Sequence, residues 1–222
     1  MENKSIIISA GGVGKRMGAV IPKQFLLLNN RPVLMRTIDR FVEYDPTIQI
    51  IVVLSANQLD YWKALCVKYK FNTDHILIKG GKERFHSVQN GLKAVTGTIV
   101  GVHDAVRPLI AVKVIENCFN KANQTGAALP AIAMRDSVRM ILDNGSKAVD
   151  RKDYKLVQTP QCFRTEILKN AYKAEFLDLY TDDASVVEST GQLISIIEGN
   201  SENIKITEPI DLKLAELLLN EE

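Results

Sequence analysis

Apolar and polar positions run along this chain in two rhythms. Short β-branched runs, at Ile6–Ile8, 49–54 (QIIVVL), 75–79 (HILIK) and 98–103 (TIVGVH), have the length and composition of buried strands. Between them the spacing turns helical. From Pro32 to Tyr44, residues Val33, Leu34, Ile38, Phe41 and Val42 fall on one face, with Pro32 suited to a first turn. Asn57–Tyr69 does the same with Leu59, Trp62, Leu65 and Tyr69, and Arg84–Val95 with Phe85, Val88, Leu92 and Val95. Strands alternating with amphipathic helices predict an α/β fold with a doubly wound, mostly parallel, Rossmann-like sheet. Ligands in such sheets sit beyond the carboxyl ends of the strands.

The rhythm breaks at Asp136. Ser137–Leu142 and Lys147–Val149 flank Asp143-Asn144-Gly145-Ser146, and Asn-Gly between extended runs predicts a hairpin. With few apolar residues of its own, segment 136–158 reads as an arm projecting from a single domain over 1–222; an ordinary surface loop is the alternative. After Thr159-Pro160-Gln161 the α/β pattern resumes. It predicts a helix near Arg164–Glu175, strands at Leu193–Ile197 and Ile204–Thr207, and a closing helix from Pro209.

Composition narrows the partners. The 222 residues are 46% apolar and 24% charged, as in ordinary globular domains, and the formal net charge of +2 gives no bulk case for nucleic acid. No apolar run approaches the roughly 20 residues of a membrane span. Met1–Lys4 leads straight into the first strand without a signal-peptide core. Cys66, Cys118 and Cys162 are odd in number and widely spaced, the pattern of thiols in a reducing cytoplasm. His75, His86 and His103 have no zinc spacing.

The candidate chemistry starts where the first strand ends, in IIISAGGVGKRMGAVIPK (residues 6–23). Gly11, Gly12 and Gly14 let backbone N–H groups approach a ligand closely, and Lys15, Arg16 and Lys23 supply cations, so the junction reads as a polyphosphate cradle. A P-loop fails at two positions: Ser9 stands where its first glycine belongs, and Arg16 replaces the Mg²⁺-binding hydroxyl. What remains, Ala10-Gly11-Gly12-Val13-Gly14-Lys15-Arg16-Met17 followed by Pro22-Lys23-Gln24, resembles the signature of sugar- and polyol-phosphate nucleotidylyltransferases.

Further clusters lie at strand ends or in the loops around them. Gly80-Gly81-Lys82-Glu83-Arg84, with Ser87, sits at a strand-to-helix turn that favours an anion or a polar base edge, or is a plain helix entry. In His103-Asp104-Ala105-Val106-Arg107-Pro108, a carboxylate suited to Mg²⁺ adjoins an arginine suited to phosphate; a structural Asp–Arg pair is the alternative, and His103 reads as a packed strand-end residue. Asp150-Arg151 closes the arm, and Gln158-Thr159-Pro160-Gln161 follows it. Thr181-Asp182-Asp183-Ala184-Ser185 reads as a helix N-cap, and Lys205 sits in a short apolar stretch.

Together, A-G-G-x-G-x-R-M, P-K-Q, G-G-x-x-R-x-x-S, H-D-A-x-R-P, Q-T-P-Q, T-D-D-A-S and N-I-K-I-T span residues 10 to 207. This ordered set resembles the 2-C-methyl-D-erythritol 4-phosphate cytidylyltransferases of the non-mevalonate isoprenoid pathway. The resemblance implies transfer of CMP from CTP to a polyol phosphate with release of pyrophosphate, with Mg²⁺ as cofactor. It also implies a homodimer whose hairpin arms reach into each other's sites. By motif, Arg16, Lys23 and Lys205 correspond to the phosphate-gripping cations, and Ala10, Gly11, Gly12 and Gly14 to the nucleotide cradle. Gly81, Lys82 and Ser87 fall where cytosine is recognised, although Lys82 replaces an acidic residue found in some members. Asp104 matches a residue that contacts metal and nucleotide, while Arg107, Ser137, Arg151 and Thr159 match polyol-phosphate contacts. Ribitol-5-phosphate cytidylyltransferase shares most of these motifs and is the runner-up, and a non-catalytic nucleotide-sensing module is a third reading.

Overall fold

The computed structural model describes residues 3–12 and 21–220. β1 (Lys4–Ser9) is an interior strand of the sheet, paired on both sides. Its Ile6 and Ile8 face one layer of helices and Ile7 the other, all three fully buried. Burial of each such side chain is worth about 1.5–3 kcal/mol, so this short strand anchors both halves of the core.

A two-residue ladder, β2 (Leu27–Leu28) with β3 (Arg31–Pro32), leads into α1 (Val33–Tyr44). Then come β4 (Gln49–Leu54), α2 (Leu59–Lys68), β5 (Ile76–Lys79), α3 (Arg84–Leu92) and β6 (Ile99–Asp104). Each predicted strand and helix of this half is present within two or three residues. The apolar faces are buried as the spacing requires: Leu34, Ile38 and Phe41 on α1, Trp62 and Leu65 on α2, Phe85, Val88 and Leu92 on α3. β1 pairs in parallel with both β4 and β6, and β4 in parallel with β5.

The second half is less regular. It contains α4 (Val112–Thr125), β7 (Ala127–Ala133), the hairpin β8 (Val138–Leu142) and β9 (Gly145–Val149), β10 (Lys155–Val157) and β11 (Gln161–Arg164). α5 (Thr165–Ala171), α6 (Asp183–Glu188), β12 (Ser195–Glu198) and α7 (Pro209–Leu219) complete it. The sheet runs β10-β7-β11-β6-β1-β4-β5, with β12 added in parallel to β7. β11 pairs antiparallel to β6 and β7, and β10 antiparallel to β7, so the sheet is mixed at this edge. The chain thus has a doubly wound α/β fold. No helix among the described residues is long and apolar enough to cross a membrane.

Two sequence expectations shift. Leu142 pairs with Gly145, so Asp143-Asn144 form the tip of the hairpin and Gly145 opens the return strand at φ +137°, where a Cβ is disfavoured. Residues 204–207 are not a ladder strand. Ile206 is buried and donates one backbone hydrogen bond to the Val106 carbonyl (2.9 Å); neighbouring residues lack strand partners.

Candidate active site

The loops after β1, β5 and β6 all leave from the carboxyl ends of parallel strands, and they enclose a cleft of about 250 Å³. Ala10, Gly11 and Gly12 line it from β1, Gly81, Lys82 and Ser87 from β5, and Asp104 from β6; Lys23 and Lys205 add cations from two other segments. Nine residues singled out in the sequence therefore share one cavity. Gly14 and Arg16 lie outside the described residues.

Local chemistry explains each placement. Pro22 is followed by a single 3-10 turn, Lys23–Phe25, and the buried Phe25 packs on Trp62 (ring centroids 6.1 Å) and Tyr61 (5.2 Å), which fixes Lys23 at the rim. Gln24, the last residue of P-K-Q, is buried. Its amide donates to the Ala10 carbonyl (2.6 Å) and to Gln58 (2.9 Å), holding the start of the glycine loop. The motif contained this residue, but only the fold gives it a role.

In the β5–α3 loop, a Cβ on Gly81 would overlap His86, so no side chain fits there. Ser87 accepts from the Gly81 N–H (3.1 Å) and donates to the Glu83 carbonyl (3.1 Å); its hydroxyl shapes this loop. Lys82 is exposed at the mouth. Arg84, which also lines the cleft, is gripped by the buried Asp183 through two bonds (2.9 and 2.5 Å), and Tyr172 donates to the same carboxylate (2.6 Å). Asp182 caps α6 in a reciprocal capping box with Ser185, as the T-D-D-A-S reading predicts.

The β6 terminus is the electrostatic centre. Asp104 Oδ2 receives Lys205 Nζ (3.1 Å) and Arg107 Nε (3.2 Å), and Arg107 also donates to the Asn203 carbonyl (2.7 Å). The Asp104 side chain is 12% exposed, whereas Lys205 is 43% exposed and free to turn toward a ligand. Burial alone would raise the Asp104 carboxyl, but Lys205, Arg84 and Arg107 outweigh it and hold the group well below the usual carboxylate range. It is therefore an anion at neutral pH. His103 is fully buried, and that burial pushes it down to about 4. Its neutral ring is no phosphate-binding cation.

Thr159 is buried beside Asp104, whose N–H donates to its hydroxyl (3.1 Å). Ser137 and Arg151 are elsewhere. Both are exposed on the arm, outside the lining of the cleft, and Arg151 donates to the Arg135 carbonyl. Within one chain the structure does not bring these two residues to the other site residues.

The donor set bears on Mg²⁺. Among the described residues no three His, Cys, Asp or Glu side chains cluster, so no protein cage for a metal is built. One deprotonated carboxylate in a phosphate-sized cleft is nevertheless what Mg²⁺ needs when it arrives on a triphosphate with its own waters. Asp104 fits that requirement.

Residues 5–221 match the family model for 2-C-methyl-D-erythritol 4-phosphate cytidylyltransferase, IspD. The enzyme of that name from Phocaeicola vulgatus is 50% identical over 218 residues, covering 98% of this chain and all of its own. That from Clostridium botulinum is 38% identical over 226 residues, covering 99% and 98%. Among solved structures, the Thermus thermophilus cytidylyltransferase has a TM-score of 0.79 at 28% identity, covering 99% of this chain and 100% of its own. The 4-diphosphocytidyl-2C-methyl-D-erythritol synthase of Anaerococcus prevotii reaches 0.84 at 26% identity, covering 99% of both.

Proposed function

The chain belongs to the 2-C-methyl-D-erythritol 4-phosphate cytidylyltransferase family, and from that membership we infer how its own residues carry out the reaction. It is a nucleotidyltransferase that moves CMP from CTP to 2-C-methyl-D-erythritol 4-phosphate in isoprenoid precursor synthesis. A phosphate oxygen of the polyol phosphate attacks the α-phosphorus of CTP. The bond from that phosphorus to the β-phosphate bridging oxygen breaks, and pyrophosphate leaves with the electron pair.

The observation that carries the assignment of roles is the pairing of Asp104 and Lys205 in the cleft, with Arg107 bonded to Asp104 behind them. The attacking oxygen is already anionic at neutral pH, so no general base is required, and the work left to the protein is alignment and charge stabilisation. Lys23 and Lys205, with Arg16, meet the charge that grows on the phosphate oxygens. Arg107 orients the polyol phosphate. The 80–87 loop reads cytosine through backbone groups held in place by Ser87. Asp104 would hold Mg²⁺, which would supply charge compensation for the triphosphate.

Two further readings rest on less. The hairpin exposes Met140, Ile141 and Leu142 while Ser137 and Arg151 stand apart from the cleft, which supports a homodimer whose arms complete each other's sites. The three unpaired cysteines support a cytoplasmic enzyme. Pyrophosphate release from CTP tests the function: 2-C-methyl-D-erythritol 4-phosphate should be the productive acceptor. A preference for ribitol 5-phosphate would transfer the chain to the other cytidylyltransferase.

A further inference from the structure

His103 has no role in the reaction as derived above, yet both of its ring nitrogens are spent on the segment that carries Asp104 and Arg107. Nε2 lies 3.1 Å from the Arg107 carbonyl oxygen, and Nδ1 lies 3.0 Å from the Thr159 hydroxyl. A carbonyl only accepts, so Nε2 carries the hydrogen and Nδ1 is left as an acceptor in the neutral ring. Thr159 then donates to Nδ1 and accepts from the Asp104 N–H (3.1 Å). Arg107 closes the circuit, its N–H donating to the Asp104 carbonyl (3.2 Å).

The same turn is held from outside. Thr37 on α1 donates to the Ala105 carbonyl (2.9 Å), and the Ala105 N–H donates to Ser9 (3.2 Å). The Phe41 ring and the imidazole pack in a T-shaped arrangement at 4.9 Å between centroids. No water-filled space is needed to satisfy the circuit. An apolar residue at 103 would strand a buried hydroxyl and a buried carbonyl, and the turn would shift to recover them.

We propose that His103 is a positioning residue of this enzyme, a two-ended strut whose bonds to Thr159 and to the Arg107 carbonyl fix the turn presenting Asp104 and Arg107. The proposal rests on the function assigned above and adds a consequence for Thr159. With its hydrogen committed to His103, that hydroxyl shapes the site from behind and has no hydrogen left to donate to a substrate phosphate.

The test uses pyrophosphate release by the full chain, with folding checked by circular dichroism and thermal melting. His103→Gln keeps a donor near the Arg107 carbonyl but loses the Thr159 bond; Thr159→Val loses the same bond from the other side. Each should lower kcat about tenfold or more, the scale of a small misplacement of reacting groups, with KM for CTP changed less than about threefold because the base loop is untouched. The double variant should be no worse than either single one, since both delete one link. A residue that only stabilises the fold would lower the melting temperature and leave kcat intact. Wild-type kcat in folded His103→Gln, or losses that multiply in the double variant, would overturn the proposal. Long-range ¹H–¹⁵N spectra of the unaltered protein give an independent reading: the hydrogen must reside on Nε2, and an Nδ1–H ring would also overturn it. An inactive wild type would instead count against the assigned function, because only the ratio of variant to wild type reports on His103.

Discussion

The β6 turn and the hairpin arm carry proposed site residues under opposite conditions. At the turn, Asp104 and Arg107 are nearly buried, bonded to each other, and backed by Asn203, Thr159 and His103. On the arm, β8 and β9 pair only with each other, apart from the main sheet, and Ile141 at the tip is 80% exposed. The contrast is between a preorganised electrostatic site and a limb with no core of its own. Two-stranded ribbons are marginal alone in water, so the arm needs another surface. In the proposed homodimer a second copy of the chain would supply one.

The sharpest way to break the comparison is to damage the body. Lys23→Ala should fold and lose roughly 10²-fold or more in kcat, the scale for one preorganised charge contact in a transition state. A folded Lys23→Ala protein with near wild-type kcat would remove the residue from the chemistry.

Next comes the base loop. Gly81→Ala forces a Cβ into His86 and displaces the loop that Ser87 holds. We expect kcat/KM for CTP to fall by about tenfold, or ~1.4 kcal/mol, with little discrimination left between CTP and UTP. Unchanged nucleotide selectivity would mean that another segment reads the base.

The third prediction joins the two regions. Lys23→Ala and Arg151→Ala subunits, each nearly inactive, are denatured together and refolded as an equal mixture. If arms are exchanged, about half the dimers are mixed and each contains one intact site, restoring about a quarter of wild-type activity. A mixture no more active than its components would place arm and body of one site on the same chain.

The smallest effect on the isolated chain is at the arm tip. Ile141→Asp removes exposed apolar surface, so monomer stability should stay within about 0.5 kcal/mol. Dimerisation measured by sedimentation should weaken, and specific activity should fall on dilution. A dimer of unchanged affinity would show that Ile141 lies outside the interface.

The sequence by itself determined the parts of this protein in which local pattern and tertiary demand agree. Ile6–Ile8 reads as a buried strand and is one, because β-branched residues flanked by small ones suit a sheet covered on both faces. The helical faces of α1, α2 and α3, the N-cap at Asp182 and the hairpin after Asp136 were legible for the same reason. Motif order also singles out Gly81, Ser87, Asp104 and Lys205, since their residue types are what phosphate and base chemistry needs. β7 had no such signature: its sequence, AALPAIA, is poor in β-branched residues and contains Pro130, and it is a strand because β10, β11 and β12 all pair with it. Conversely, Ile204–Thr207 has strand composition but lacks strand neighbours, and its one bond to Val106 serves to bring Lys205 to Asp104. Only the tertiary structure decided that Arg84 answers to Asp183, that Gln24 holds Ala10, and that His103 bonds both the Arg107 carbonyl and the Thr159 hydroxyl. Apart from His103 and Arg107, which a turn sets four residues apart, these pairs join residues 14 to 99 positions apart. Periodicity reports on neighbours within a turn or two, whereas a bond across that distance exists only once the sheet has brought its strand ends together.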